Sequence, residues 1–395
     1  MDERKRIQRN LEKTVDTLDT VFVEHPRLVL QPCRNFSSQG CIIWETLSFQ
    51  KQLLGLEEMQ VRECKVRRNL HSTIKGQERT YSVGFNSDGK AAERCKPVSK
   101  FVFIKTMKTG SSTTANIMLR YGMKNNLTVA GKTDFRDTRC INFTAIDFSA
   151  IHIQLNRSAI DNVIPNAKYF TILRSPYTHL RSAFYWFKFS TIVNSTFTQF
   201  VMHLEKYNNF THRLQQHRNG QMWFLDPRFD MNQRDNNTYI LQVISKLDQE
   251  LDLVMLMEYY DESILLLKKL LCWEFDDLVY HGVKMRKPKD TVLPEMESSI
   301  RKWSNADFLL YEHFNHTFWE KVKNYDGNFE KDLNEFRTRQ QNVSNQCASS
   351  NALEYNSFCW RLVVDTRLIK DVALQQQQTR MHAIRKERKE KCSSI

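Results

Sequence analysis

Residues 101–116 read Phe101-Val-Phe-Ile-Lys-Thr-Met-Lys-Thr-Gly-Ser-Ser-Thr-Thr-Ala-Asn116, and this stretch decides the fold. Phe101 to Ile104 is a short apolar run of aromatic and β-branched residues, the pattern of a buried strand. Met107 to Ser112 is a turn with one glycine, one lysine and several hydroxyls. A helical pattern begins at Ser112, with Ile117, Leu119 and Tyr121 supplying apolar surface and Ser111 or Ser112 as N-cap. Strand, small-residue loop and helix together aim backbone N–H groups and a helix dipole at an anion, most often a phosphate. Lys105 and Lys108 add positive charge there. The loop is not of Walker type, because its glycine, Gly110, follows Lys108 instead of preceding it.

A second stretch repeats the plan: Lys168-Tyr-Phe-Thr-Ile-Leu-Arg-Ser-Pro-Tyr-Thr-His-Leu-Arg-Ser-Ala-Phe184. Tyr169 to Leu173 reads as a buried strand, Arg174 sits at its end, and Pro176 suits the first helical turn. Leu180, Phe184 and Phe187 mark that helix's apolar face. Arg174 with Ser182 can clamp a phosphate with a guanidinium fork and a hydroxyl. A loop for one phosphate and a separate clamp for another point to a nucleotide phosphorylated at two positions.

Lys-Thr-x-Lys-Thr-Gly-Ser-Ser-Thr (105–113) and Leu-Arg-Ser-Pro…Arg-Ser-Ala-Phe (173–184) together resemble the donor site of sulfotransferases that use 3′-phosphoadenosine 5′-phosphosulfate. More narrowly, the chain resembles the galactose 3-O-sulfotransferases. Supporting stretches are Cys95-x-Pro, Leu251 to Lys268, Leu271 to Asp277 and Tyr311 to Trp319, so that the resemblance covers residues 93 to 347. It implies a P-loop-like α/β three-layer sandwich with a mostly parallel central sheet flanked by helices. It also implies sulfuryl transfer to a sugar hydroxyl, the 3-hydroxyl of a terminal β-galactose on a glycolipid or glycan, without a metal. On this resemblance Lys108 and the N–H groups of Thr109, Gly110, Ser111, Ser112 and Thr113 hold the 5′-phosphosulfate. Lys105 is the second cation, and Arg174 and Ser182 bind the 3′-phosphate. The base is His152 or Glu258, and Glu258 could instead orient the acceptor or a cation. A neutral histidine needs no tuning for the task. The family's loop commonly reads Lys-Thr-His-Lys, and Met107 stands here in place of the histidine. That departure keeps open a catalytically silent relative that binds donor or carbohydrate. A nucleotide kinase of P-loop type is the other rival.

The chain has 395 residues, enough to bury a sizeable core, and a formal net charge of +13. Its basic residues are spread out apart from the tail at 385–391, and no zinc-finger spacing or RNA-binding motif occurs, so a nucleic-acid partner is not expected. Nine Asn-x-Ser/Thr sequons, at Asn35, Asn126, Asn142, Asn156, Asn194, Asn209, Asn236, Asn315 and Asn342, point to a lumenal or extracellular history. Asn156, close behind a predicted strand, is expected to be buried. The nine cysteines form no Cys-x-x-Cys pair, which argues against a zinc ribbon; pairing is expected in the N-terminal region and around Cys347 and Cys359. No run of eighteen apolar residues occurs. The family resembled is held in the Golgi, facing the lumen, by one N-terminal helix (type II topology), and the expectation is that this anchor is missing from the sequence as read.

In order along the chain, 1–92 reads as a stem and cap, 93–347 as the sulfotransferase domain and 348–395 as a helical, basic tail. Lys132, Arg136 and Arg139 fall in a loop that could contact an acceptor. Ala150 to Gln154 is predicted as a strand carrying His152. Residues 191–240 read as irregular and aromatic, either an acceptor wall or a satellite hydrophobic cluster. His212 with His217, and His313 with His316, lack a ligand set and read as surface or packing residues. Leu251 to Met257 is a further strand, ending at Glu258, and Tyr260 to Leu271 a helix. Arg286 to Lys289 is a basic turn. Gln375 to Gln378 is expected in an exposed helix or disorder.

Overall fold

The structure is a computed structural model that describes residues 95–135, 146–207, 217–281, 294–348 and 353–378, with 380, 382 and 386. The stem of residues 1–92, the side chain of Lys132, Arg136, Arg139, His212, the turn at 286–289 and the tail from 387 lie outside the described residues.

In chain order the site-bearing elements are β1 (Phe101–Ile104), α1 (Ser111–Lys124), β2 (Phe148–Ser149), β3 (Lys168–Leu173), α2 (Pro176–Trp186), α3 (Gly220–Leu225), α4 (Asn237–Glu250) and β4 (Leu253–Leu256). They are followed by α5 (Tyr260–Leu271), α6 (Pro294–Trp303), α7 (Asn305–Lys323), α8 (Phe329–Gln346), α9 (Phe358–Val363) and α10 (Thr366–Gln376). The four strands form one parallel sheet in the order β2-β1-β3-β4, with Phe101 opposite Phe148 and Lys168, and Phe170 opposite Leu253. Every residue of β1 and β4 is buried, as are Tyr169 to Leu173 of β3. The continuous apolar runs of the sequence follow from this, because helices cover both faces of a parallel sheet. From β1 the chain moves first to one neighbour and then back across to the other. The crevice at the carboxyl ends of β1 and β3 is therefore the topological switch point, where open α/β sheets take their ligands.

Two apolar clusters hold the layers. The larger surrounds the sheet, where Phe101 packs on Phe148, Phe170 and Trp273. The smaller gathers Tyr177, Phe184, Phe189, Phe197 and Phe200 with Trp303. The described parts of residues 191–240, expected to be irregular, are mostly short helices and the start of α4; the one at Phe197–Met202 starts in a capping box made by Thr196 and Gln199. Propensity misses such pieces because their stability comes from packed aromatics.

Other expectations change as well. The strand at 150–154 does not form: β2 ends at Ser149, and His152 lies in the bend that follows. β4 ends at Leu256, and a 3-10 turn, Met257–Tyr259, carries Glu258. Asn156 is exposed and caps the next helix through its side chain. Gln377, expected to be exposed, is buried; its amide accepts from Val129 N at 2.9 Å and donates to Val129 O at 3.3 Å, closing the sheet edge beyond β2 as a strand would. α10 packs along α1. Cys347 pairs with Cys359, and Cys95 pairs with Cys272 across 177 residues, a link the sequence did not suggest. Among the described residues no helix is long and apolar enough to cross a membrane.

Candidate functional site

The loop after β1 is tied down from within. Thr106 Oγ1 donates to Ile172 O of β3 at 2.6 Å, so its partner Thr109 Oγ1, 2.7 Å away, must be the donor between the two hydroxyls. Ser111 Oγ donates to Thr106 O. The hydroxyls of Thr109 and Ser111 are therefore spent on the loop itself. The helix starts on Gly110 and not on a serine: Gly110 is the N-cap at φ 75°, with no side-chain cap bond and no acidic residue in the first turn of α1. Thr113 N turns back to Gly110 O at 3.0 Å. The remaining first-turn donors and the positive end of the dipole are left for an anion. Gly110 is required twice over, since a Cβ there would stand 2.2 Å from Met257 Sδ as well as at a left-handed φ.

Lys105 is 9% exposed at the end of β1. Burial pushes its ammonium down to about 8; Asp365, the N-cap of α10, pulls it up and Lys370 pushes it further down. Thr366 beside Asp365 donates to Ser112 O at 3.1 Å, which brings the start of α10 onto the loop. Lys108 adopts φ 59°, and its Nζ lies 3.8 Å above the ring of Trp186.

Arg174 joins the same crevice from β3. Its Nη1 donates to Lys108 O at 3.3 Å and its Nε to Thr178 Oγ1 at 2.9 Å. Its charge is partly buried, and burial lowers its pKa while Glu258 opposes that shift. Ser182 lies one turn beyond Thr178 on α2, on the same face by helical spacing. Glu258 accepts from Ser175 N at 2.9 Å and Thr178 Oγ1 at 3.1 Å on one oxygen, and from Tyr311 Oη at 3.0 Å on the other. Burial and this carboxylate hold the Tyr311 phenol above its ordinary range. Glu258 thus acts on the start of α2 and on Arg174.

His152 sits beside the loop because β2 is the direct neighbour of β1. Its Nδ1 lies 2.6 Å from Lys105 O. A carbonyl only accepts, so Nδ1 carries the hydrogen and Nε2 is the acceptor nitrogen of the neutral ring. A cavity of about 240 Å³ opens here, lined by Met107, His152, His179, His217, Trp223 and Phe224, with Gln154 and Gly220. Its histidines differ in kind. His179 is buried and donates from Nε2 to Met107 O at 3.0 Å. Burial, with help from His217 and Arg174, pushes it down to about 3, so it is a neutral strut under the loop.

The short helix α3 connects the two halves. Gln221 Nε2 donates to Arg174 O and its Oε1 accepts from Arg174 N, both at 2.8 Å. α3 is itself anchored by buried Asp307 of α7, which accepts from Gln221 N at 3.2 Å and Met222 N at 2.8 Å. Burial raises Asp307 to about 7, against those hydrogen bonds. One six-residue helix thereby fixes the backbone of Arg174 and, through Gly220, Trp223 and Phe224, one wall of the cavity.

The structure gathers Lys105, Lys108, Thr109 to Thr113, His152, Arg174 and Glu258 around one crevice, and Ser182 is placed by its helical position alone, one turn beyond Thr178. Sequence reasoning passed over Thr178, His179, Gln221, Asp307 and Asp365. Thr178 had a signal, the four-residue spacing Arg174–Thr178–Ser182. The others act across the fold and carried none. Of the histidine pairs, His217 lines the cavity, while His313 lies 3.4 Å from Asp248 and His316 3.7 Å from Glu320.

The family profile described as galactose-3-O-sulfotransferase matches residues 64–382. Human galactosylceramide sulfotransferase is 30% identical over 266 residues, 60% of this chain and 60% of that relative. Galactose-3-O-sulfotransferase 2 of Sus scrofa is 29% identical over 284 residues, 65% of this chain and 70% of the relative. Galactose-3-O-sulfotransferase 3 of Mus musculus is 29% identical over 274 residues, 62% of each. The match to the human relative thus spans less than two thirds of its length.

Proposed function

The chain belongs to the galactose-3-O-sulfotransferase family, and from that premise we propose that it transfers the sulfuryl group of 3′-phosphoadenosine 5′-phosphosulfate to the 3-hydroxyl of a terminal β-galactose on a glycolipid or glycan. The observation that carries the reading is a single junction. The uncapped, acid-free N-terminus of α1 and the Arg174 clamp meet through Lys108 O, at the edge of a cavity whose wall holds His152.

The donor, when bound, supplies a sulfuryl group on a phosphate leaving group. The fit is judged on charge and donors: two cationic poles, one at Lys105, Lys108 and the N–H groups of residues 109–112, since that of Thr113 is turned to Gly110 O, the other at Arg174 with Ser182 and Thr178. These match two separate anionic groups on one nucleotide. Lys108 and the α1 N-terminus hold the bridging and terminal oxygens and stabilise the charge that grows on the departing phosphate. Buried Lys105 backs them from below the loop. Arg174 and Ser182 read the 3′-phosphate.

In the cavity His152 Nε2 takes the proton from the acceptor hydroxyl as its oxygen attacks sulfur. Its Nδ1–H bond to Lys105 O fixes the ring and ties the base to the donor strand. Glu258 is engaged by three donors and serves as the brace of Arg174, one of the two roles open to it. Met107 lines the cavity in place of the histidine common in the family, and His152 stands in the same wall beside the loop. The rival of a silent relative rested on Met107 alone, and the chain's likeness to named sulfotransferases weighs against it.

We further propose a Golgi-lumenal location with an N-terminal signal anchor, as in the family resembled. Five described sequon asparagines, Asn126, Asn156, Asn194, Asn236 and Asn342, are exposed, and two disulfides join described residues, as an oxidising compartment allows.

Calorimetry with adenosine 3′,5′-bisphosphate, ADP and ATP, with and without magnesium, tests the donor site. Metal-independent binding of the bisphosphate in preference to ADP and ATP, lost in Arg174→Ala, is expected; preference for magnesium-ATP would overturn the reading. On a β-galactoside acceptor, Lys108→Ala is expected to abolish transfer. His152→Ala is expected to cut turnover about 100-fold or more while bisphosphate affinity stays unchanged. Unchanged turnover would remove His152 as base.

A further inference from the structure

Trp186 is the last residue of α2 and, at 59% exposure, the most exposed large apolar side chain of the loop-and-cavity region. It is bracketed by two elements that line the cavity. On one side Lys108 Nζ lies 3.8 Å above its ring, next to Met107 in the cavity wall. On the other, Phe187 packs against His217 of the same wall, ring centroids 4.6 Å apart. The indole is not part of the cavity lining; it lies outside it, beside the ammonium assigned to the transferring group.

The cavity itself is small. At about 240 Å³ it falls below the roughly 300–1,000 Å³ of ordinary ligand pockets, and it suits one pyranose ring. Whatever is attached to that ring must leave across the rim. An exposed indole offers a flat apolar face, and the C–H face of a sugar ring packs on such a face while its hydroxyls stay in water. The four-residue spacing that joins Thr178 to Ser182 continues to Trp186, which lies on the same face of α2 one turn past the donor clamp.

Resting on the function proposed above, we propose that Trp186 is a second acceptor subsite, a platform for the sugar ring next to the terminal one. The chain then favours acceptors with at least two sugar rings over single-ring galactosides. Lys108 packs on one face of the indole, and more than half of the side chain stays open to solvent.

The test is initial-rate kinetics of the full chain at saturating donor with methyl β-galactoside, methyl β-lactoside and galactosylceramide, for wild type, Trp186→Ala and Trp186→Phe. Trp186→Ala is expected to raise KM for the lactoside about ten-fold and to leave the single-ring galactoside within about two-fold. Trp186→Phe, which keeps an aromatic face, is expected to restore most of the lactoside KM. Bisphosphate affinity by calorimetry is expected to be unchanged in both variants. Equal losses on one and two rings would overturn the subsite and make the indole a support for Lys108. Weakened bisphosphate binding would move it to the donor side, and a loss confined to galactosylceramide would make it a lipid contact; either result overturns the proposal. Wild type that binds the bisphosphate and sulfates none of the three acceptors would overturn the functional reading itself.

Discussion

Lys105 shows how burial sets the chemistry of a single residue. A lysine 9% exposed at a strand end loses hydration, and its ammonium falls from 10.5 to about 8 despite the pull of Asp365. Two consequences have opposite signs. Folding favours the neutral amine, so the charged form costs stability below about pH 8, and that stability is regained as pH rises from 8 towards 10.5. Anion binding favours the ammonium, so affinity for adenosine 3′,5′-bisphosphate is expected to hold steady between pH 6 and 7.5 and to fall as pH rises through about 8. Lys105→Met is expected to bind more weakly at pH 7 and to lose this dependence. Calorimetry across pH 6 to 9 on both proteins checks it; a parallel fall in the variant would assign the titration to another group.

At the scale of elements, α3 matters more than its six residues suggest. Its Gln221 satisfies both backbone groups of Arg174, and Asp307 satisfies its own first N–H groups. Removing the Gln221 amide leaves a half-buried N–H and C=O unpaired at a cost of about 1–3 kcal/mol, enough to let the Arg174 backbone shift. Gln221→Ala is therefore expected to weaken bisphosphate binding about ten-fold and to raise acceptor KM, because the same helix carries Trp223 and Phe224. Circular dichroism and both binding measurements on one preparation check this. A variant with normal donor affinity would show that β3 alone fixes Arg174.

Across the whole molecule, the Cys95–Cys272 bond ties the residues just before β1 to the residue after α5, so that its loop encloses the entire sheet. Cys347–Cys359 closes only 12 residues between α8 and α9. Constraint of the unfolded chain grows with loop length, so Cys95→Ser with Cys272→Ser is expected to cost about 5 kcal/mol, against about 3 kcal/mol for the shorter loop. Urea denaturation of the two double variants checks the order, and equal losses would mean the unfolded chain is already compact around the longer loop. α10 belongs to this scale too: it packs on α1 while Asp365, Thr366 and Gln377 reach Lys105, Ser112 and Val129.

The sequence by itself determined what is local or periodic. Buried parallel strands show as unbroken apolar runs, as in Phe101 to Ile104 and Tyr169 to Leu173, and the loop and strand-end residues proposed to meet an anion follow them directly. Lys108, Gly110, Arg174 and Ser182 were legible for that reason. The tertiary structure alone decided which distant groups complete the site. His152 meets Lys105 because β2 pairs with β1, Gln221 reaches Arg174 because Asp307 holds its helix, and Lys108 lies over the ring of Trp186. It also replaced the serine cap by Gly110 and buried Gln377 against a sheet edge. The physical reason is one of range. Strand and helix patterns are set by neighbours a few residues apart. A buried polar group takes whatever partner the packed fold brings to it, tens to hundreds of residues away, and no spacing in the chain records that choice.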